Sequence, residues 1–131
     1  MRAIILDTGR LLTIKRQRNG QTYWVFPGGG VEAKETHTQA LEREVLEETG
    51  LKCRVQEFIT KNIYHSSTGP QLVSFYHARV TGGQIGTGTG PEYTEPNPLA
   101  GTYTAEWLVV SELKKYDLRP KEVRDMIIAE K

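Results

Sequence analysis

Apolar and polar residues change their period several times along this chain, and each change marks an element. "RAIIL" (2–6) and "RLLTIKR" (10–16) flank "DTG", which predicts a hairpin. "RNGQ" (18–21) carries the Asn-Gly turn signal, and "YWVF" (23–26) is a short strand stopped by Pro27. Over 36–51, "THTQALEREVLEETGL", the period becomes helical, and Leu41 with Val45 forms an i, i+4 apolar pair aimed at a core. Thr36 with Gln39 predicts a capping box. Gly50 suits the residue just past the helix, with Leu51 touching Leu46 in a Schellman motif. "CRVQEFITKNIYH" (53–65) and "QLVSFYHARV" (71–80) predict two longer strands joined by "SSTGP".

Residues 81–101 interrupt the pattern with Gly, Pro and Thr and predict a long loop. Its "GTGTG" (86–90) lacks the Lys and the strand–helix setting of a phosphate loop and reads as flexible. "TAEWLVV" (104–110) is the last predicted strand, with Ser111 capping a short turn through "ELKKY". Pro120 is expected as the first residue of a C-terminal helix whose apolar stripe is Val123, Ile127 and Ile128. Strands, helix, strands, helix in that order predict an α/β or α+β fold, a mixed sheet with helices on its faces. No repeat or linker is visible, so a single domain over residues 1–131 is expected.

Composition narrows the function classes. At 37% hydrophobic and 25% charged residues, a soluble globular domain is expected rather than disorder. A net charge of +1 gives no reason to expect a nucleic acid polymer as partner. The lone Cys53 has no partner for an internal disulfide and is expected as a small buried hydrophobe. No secretory h-region opens the chain, and no apolar run approaches the roughly 18 residues that span a bilayer. The expected location is therefore cytoplasmic, with no membrane partner.

The stretch "REVLEETG" (43–50) poses the chemical question. Glu44, Glu47 and Glu48, spaced i, i+3, i+4, crowd about 100° of one helix face. Like charges there repel by roughly 0.2–0.5 kcal/mol per pair, and the negative end of the helix dipole adds to the cost. A solvated charged face laced with Glu–Arg pairs is the common outcome for such a run. A bound cation is the other, because carboxylate oxygens suit Mg²⁺ or Mn²⁺, and Mg²⁺ is commonly held by a few carboxylates plus substrate phosphates. Arg43, i, i+4 from Glu47, is placed to orient that carboxylate.

The wider pattern favours the cation. Gly29, five residues, Glu35, seven residues, then Arg43-Glu44-Val45-Leu46-Glu47-Glu48-Thr49-Gly50-Leu51 resembles the Nudix box, G-x5-E-x7-R-E-U-x-E-E-x-G-U with U apolar, at every specified position. The approach "YWVFPGGGVE" and the late "AEWLVV" strand followed by a helix are also typical of that family. Many members carry Gly where this chain has Lys34, a position the box leaves open. The resemblance implies the Nudix fold, a mixed sheet sandwiched between helices with a loop–helix–loop box. It implies Mg²⁺-dependent hydrolysis of a nucleoside diphosphate linked to another moiety, releasing a nucleoside monophosphate. It implies Glu44, Glu47 and Glu48 as metal ligands, with the Gly28 carbonyl as a further one and Glu44 also a candidate base. Glu35 and Arg43 would brace the box, and Gly29 and Gly50 would permit its turns.

Family members commonly draw another carboxylate from a loop outside the box. Glu92, Glu95 and Glu106 are the candidates. Glu92 is favoured as fourth ligand or base because the glycines before it let a loop fold over phosphates. Glu106 precedes Trp107 in an alternating strand and is expected to point away. His37, His65 and His77 have no ligand spacing, and Trp24 and Tyr23 read as core before base-stacking groups. Arg16, Arg18 and Arg54 are candidates for phosphate contact. The alternative to an enzyme is a nucleotide-sensing or partner-binding module on the same scaffold. The moiety attached to the nucleotide is not readable: the Pro that marks ADP-ribose members about sixteen residues past the box is absent from "YHSSTG". A homodimer is compatible with this reading.

Overall fold

The computed structural model describes residues 1–66, 69–94 and 100–130. Strands β1 (Arg2–Asp7) and β2 (Arg10–Arg18) join through Thr8-Gly9, and β2 joins β3 (Gln21–Val25) through Asn19-Gly20. Both two-residue turns are left-handed, with φ of 50° and 77° in the first and 52° and 76° in the second. That hand matches the twist of the flanking strands, and Gly at the second position adopts it freely.

The sheet forks at β2. One side of β2 pairs along its length with β6 (Thr102–Val109), from Arg10↔Val109 to Gln17↔Thr102. The other side is shared: its first residues pair with β1 and its last with β3. β1 continues parallel to β5 (Gly69–Gly83), which pairs with β4 (Leu51–Ser66), while a two-residue β7 (Leu118–Arg119) runs parallel to β3. Into the fork runs the chain leaving β3. The Ala3 amide donates to the Pro27 carbonyl at 2.8 Å, and Arg2 bridges Gly28. The glycine loop is thereby tied to the sheet centre.

Alternation of side chains assigns the two faces. Ala3, Ile5 and Leu12 meet Leu41 and Val45 of helix α1 (His37–Thr49), together with Leu51, Cys53 and Ala78. Ile4, Leu11, Phe26, Phe75, Leu108 and Leu118 face the other way. They meet Val110 and Leu113 of a 3-10 helix (Val110–Lys115), and Val123 and Ile127 of a C-terminal α-helix (Lys121–Ala129). The result is the expected mixed α+β sandwich. Each fully buried Leu, Ile or Phe stabilises it by about 1.5–3 kcal/mol. A third cluster, Ile14, Tyr23 and Val25 with Tyr103 and Ala105, shares the face of Leu12.

Several expectations change in detail. Residues 81–101 are not one loop: β5 runs on to Gly83, and a helical turn, α2, covers Pro91–Thr94. The C-terminal helix is thus α3. Pro120 precedes it as the N-cap, where it costs no helical hydrogen bond, and does not open it. Ser111 lies inside the 3-10 helix, whose N-cap is Val109 with no side-chain cap. Cys53 is buried among apolar groups, and burial pushes its thiol up to about 12. Among the described residues, no helix is long and apolar enough to cross a membrane.

Candidate active site

Helix α1 carries the site, and both of its ends are secured. At the start, the Thr36 hydroxyl accepts from the Gln39 amide (3.1 Å) and the Gln39 side chain accepts from the Thr36 amide (3.0 Å), the expected capping box. At the end, Gly50 takes φ 81°, as anticipated. The Schellman pair does not form. The Leu51 amide donates to the Thr49 hydroxyl (3.0 Å), which donates to the Val45 carbonyl (2.7 Å). Leu51 joins Leu41 and Val45 in the core, and Leu46 stays 40% exposed.

The segment after β5 supplies the donors this helix end lacks. Gly86 donates to the Thr49 carbonyl (2.9 Å), Gly90 to Glu47 (3.0 Å) and Gln84 to Gly50 (3.2 Å), while the Tyr93 hydroxyl donates to the Glu48 carbonyl. The "GTGTG" stretch, expected as free loop, is therefore a backbone cap. Glycine is required at Gly88, where a Cβ would stand 2.4 Å from the Glu47 carbonyl oxygen. Donors at the carbonyl end of a helix offset the field that opposes acids there. The cap also delivers α2, and with it Glu92, to the box.

The carboxylates divide into two groups. Arg43 is a hub for one. Its Nε and Nη2 donate to both oxygens of Glu35 (2.7 and 3.0 Å), and its Nη1 donates to Glu44 (2.8 Å) and Glu47 (3.1 Å). Glu35 is held below the usual carboxylate range by Arg43 and the Glu32 amide. The other group is Glu48, Glu44 and Glu92. Glu48 is 9% exposed and accepts from the Gly28 amide at 2.7 Å. Burial pushes it up to about 8 against Arg2 and that amide, and Glu92 and Glu44 push the same way. Burial also raises Glu44, despite Arg43. Glu92 Oε1 is buried with no hydrogen-bond partner.

Close approach, rather than a turn, explains Gly29. It is not among the left-handed residues, and a Cβ on it would stand 2.6 Å from the Glu44 carboxyl carbon. The left-handed residue is Gly28 (φ 150°), whose carbonyl accepts from Arg2 at 3.4 Å. Lys34, where many box sequences have Gly, takes φ 68°, which explains that preference.

Among the described residues no three of His, Cys, Asp and Glu converge as a ready-made ion cage. Arg43 holds Glu44 and Glu47 to itself. The donor chemistry nonetheless fits a hard divalent cation. Glu44, Glu48 and Glu92 act on one another's charge, and one of their oxygens is orphaned in a buried place.

Other candidates go elsewhere. Glu106 accepts from the Trp24 indole at 3.0 Å, on the face opposite α1, as its alternation predicts. Glu95 lies outside the described residues. Trp24 packs edge-on against Tyr116 at 4.9 Å, so it serves the core. Arg54 is exposed on β4, opposite Arg79. His77 pairs with Glu57, and His37 is exposed at the start of α1. Arg16 and Tyr23 belong to a row across the α1 face. The Arg16 guanidinium lies 3.8 Å from the Tyr103 ring centre and 5.9 Å from that of Tyr23, with Arg119 4.2 Å from Tyr23 on its far side. Sequence reading missed Arg2, Tyr93, Tyr103 and Arg119. Only the Pro after Arg119 and the aromatic positions themselves offered any signal.

A family model described as NUDIX domain matches residues 1–127. A Caenorhabditis elegans protein carrying a nudix hydrolase name is 34% identical over 118 residues, 88% of this chain and 29% of that protein. Phosphatase NudJ of Escherichia coli K12 is 41% identical over 56 residues, 43% of this chain and 37% of that protein. This chain thus spans well under half the length of either relative. A solved MutT structure, from work on the Aliivibrio salmonicida and Vibrio cholerae proteins, superposes with a TM-score of 0.62 at 25% identity, covering 99% of this chain and 95% of that one.

Proposed function

The chain belongs to the NUDIX family, and on that premise we propose that it is a Mg²⁺-dependent pyrophosphohydrolase. Its substrate on this reading is a nucleoside diphosphate linked to a further moiety, and a nucleoside monophosphate is a product. The observation that carries the reading is the trio of buried Glu48 with half-buried Glu44 and Glu92, under-compensated in charge and holding an orphaned, buried carboxylate oxygen.

Glu44, Glu48 and Glu92 would hold the metal, with Glu47 and the Gly28 carbonyl at its margin. Bound Mg²⁺ supplies charge neutralisation at the phosphates and a more acidic water. The protein's part is positional. The Gly28 amide fixes the Glu48 carboxylate, and the close approach of Gly29 lets Glu44 reach its place. Arg43, anchored on Glu35, sets the rotamers of Glu44 and Glu47. Glu44, fixed by Arg43 at the site, is placed to accept a proton from the attacking water. Tyr93 pins α2 against the helix end, so Glu92 arrives at a fixed distance.

The test is phosphate or nucleoside monophosphate release from nucleoside triphosphates, nucleotide sugars and dinucleoside polyphosphates, with and without Mg²⁺. Metal-dependent release on any of them supports the reading. Tight nucleotide binding with no turnover on all of them overturns it in favour of a sensing module.

A further inference from the structure

The third apolar cluster opens into a cleft of about 290 Å³ lined by Arg16, Arg18, Tyr23, Tyr64, His65 and Arg119, with Asn19 and Gln21. Among the described residues that line it, none is acidic. The net charge of +1 therefore conceals a separation: carboxylates crowd one part of the α1 face, and arginines line another. The two parts are neighbours, because α2 packs beside β6. Tyr93 bonds the Glu48 carbonyl, and its ring lies within electrostatic reach of Glu48, Glu92 and Tyr103. Tyr103 in turn stacks under Arg16.

Arg16 is the telling side chain. Strand register sets Tyr103 and Tyr23 on either side of it, with the Tyr103 ring centre 3.8 Å from the guanidinium carbon, so its position is restricted. Nη2 donates to the Ala100 carbonyl at 2.6 Å, while Nε is buried without a partner. A guanidinium so held, with a spare donor, matches the oxygens of a phosphate. Arg119 is already neutralised by Asp117 at 2.8 and 3.1 Å, so it stiffens Tyr23 and leaves Arg16 and Arg18 as the uncompensated charges. A larger depression of about 650 Å³ adjoins the cleft beyond Tyr64, where Asp117 and Glu122 stand among Lys61, Arg119 and Lys121, so its lining is of mixed charge.

We propose that this cleft is a second phosphate subsite, which takes a phosphoryl group of the substrate other than those held at the carboxylates. It selects substrates with three or more phosphates over nucleotide sugars. The substrate preference rests on the hydrolase reading above; the subsite itself does not.

Inorganic tripolyphosphate in EDTA, titrated calorimetrically, isolates the cleft from any metal. Wild type binds it. Arg16→Gln weakens binding at least tenfold, the exposed Arg18→Gln about threefold, and Arg54→Gln, an equal change of charge elsewhere, leaves it unaltered. Melting curves confirm that each variant is folded, and Arg18→Gln tests the cleft without disturbing the stacked row. With Mg²⁺ present, the kcat/KM ratio of adenosine triphosphate to a uridine diphosphate sugar falls at least tenfold in Arg16→Gln. Running diadenosine tetraphosphate beside adenosine triphosphate tells which class supplies the extra phosphoryl group. Failure of wild type to bind tripolyphosphate, equal weakening by Arg16→Gln and Arg54→Gln, or an unchanged selectivity ratio overturns the proposal. Tripolyphosphate binding that depends on Arg16, with no turnover of any nucleotide, supports the subsite while removing the hydrolase reading.

Discussion

The last turn of α1 and the row Tyr103–Arg16–Tyr23–Arg119 lie on one face of the same sheet, and they treat charge in opposite ways. In the row, each guanidinium lies against aromatic rings that share its charge, and Arg119 also has Asp117, although Arg16 Nε has no hydrogen-bond partner. At the helix end, Glu48 is buried against a single backbone amide with Arg2 at a distance, and Glu92 Oε1 has nothing. A protein leaves acids in that condition where a ligand completes them, and the incompleteness costs apo stability. The contrast separates a surface built before its ligand arrives from one finished by it.

The sharpest way to break that contrast is Glu48→Gln. If the acid end is completed by a metal, kcat at saturating Mg²⁺ falls at least about a thousandfold, roughly 4 kcal/mol of transition-state stabilisation. Retained turnover would place the metal elsewhere.

The same variant tests the cost in the absence of metal. Burial pushes native Glu48 up to about 8, whereas a glutamate in the unfolded chain loses its proton near 4.5. Between those limits the native state binds a proton that the unfolded chain has lost, so this group's contribution falls as pH rises from the lower value to the higher. Without metal, Glu48→Gln is therefore expected to melt above wild type at pH 9, by about 5 °C or more, with the gap closing toward pH 5. Equal melting temperatures at both pH values would show that Glu48 is not strained.

Smaller effects sharpen the picture. Glu92→Gln is expected to lower kcat about tenfold, close to 1.4 kcal/mol, while Glu106→Gln, on the opposite face, changes it less than about twofold. The reverse order would transfer the role to Glu106. Mg²⁺ at ten times its dissociation constant is expected to stabilise wild type by about 1.4 kcal/mol, and less in Glu44→Gln; identical shifts would mean binding outside the cluster. Least of all, Lys34→Gly, which relieves φ 68° in the loop entering the box, is expected to move the melting temperature up by no more than about 3 °C.

The acid end could be read in the sequence because its determinants are local. Thr36 and Gln39, Leu41 and Val45, Arg43 and Glu47 all meet within one helix, so spacing alone fixes their contacts. Glu92 was reached through its glycines, although what they do is cap the helix end rather than swing freely. The basic end was opaque for the opposite reason. Arg16 meets Tyr103, and Tyr23 meets Arg119, only through strand register, which no spacing in the chain encodes. A two-residue strand such as Leu118–Arg119 carries no period at all. Glu106 shows the intermediate case: the pleat gave its face, but its Trp24 partner follows from the pairing of β2 with both β3 and β6.

The parallel pairing of β7 with β3 bears on how the chain matures during synthesis. Until residues 118–119 leave the ribosome, β3 has an open edge and Tyr23 lacks the guanidinium on its far side. Until Val123 and Ile127 follow, Leu11, Phe26 and Leu108 have no helix over them. The box helix, capped within residues 36–50 and the segment through Tyr93, needs neither. A nascent chain halted near residue 115 would carry its acids in place while a broad apolar face and an unpaired strand remained available to chaperones or to other chains. Emergence of residues 118–127 closes that face and completes one wall of the basic cleft in a single event.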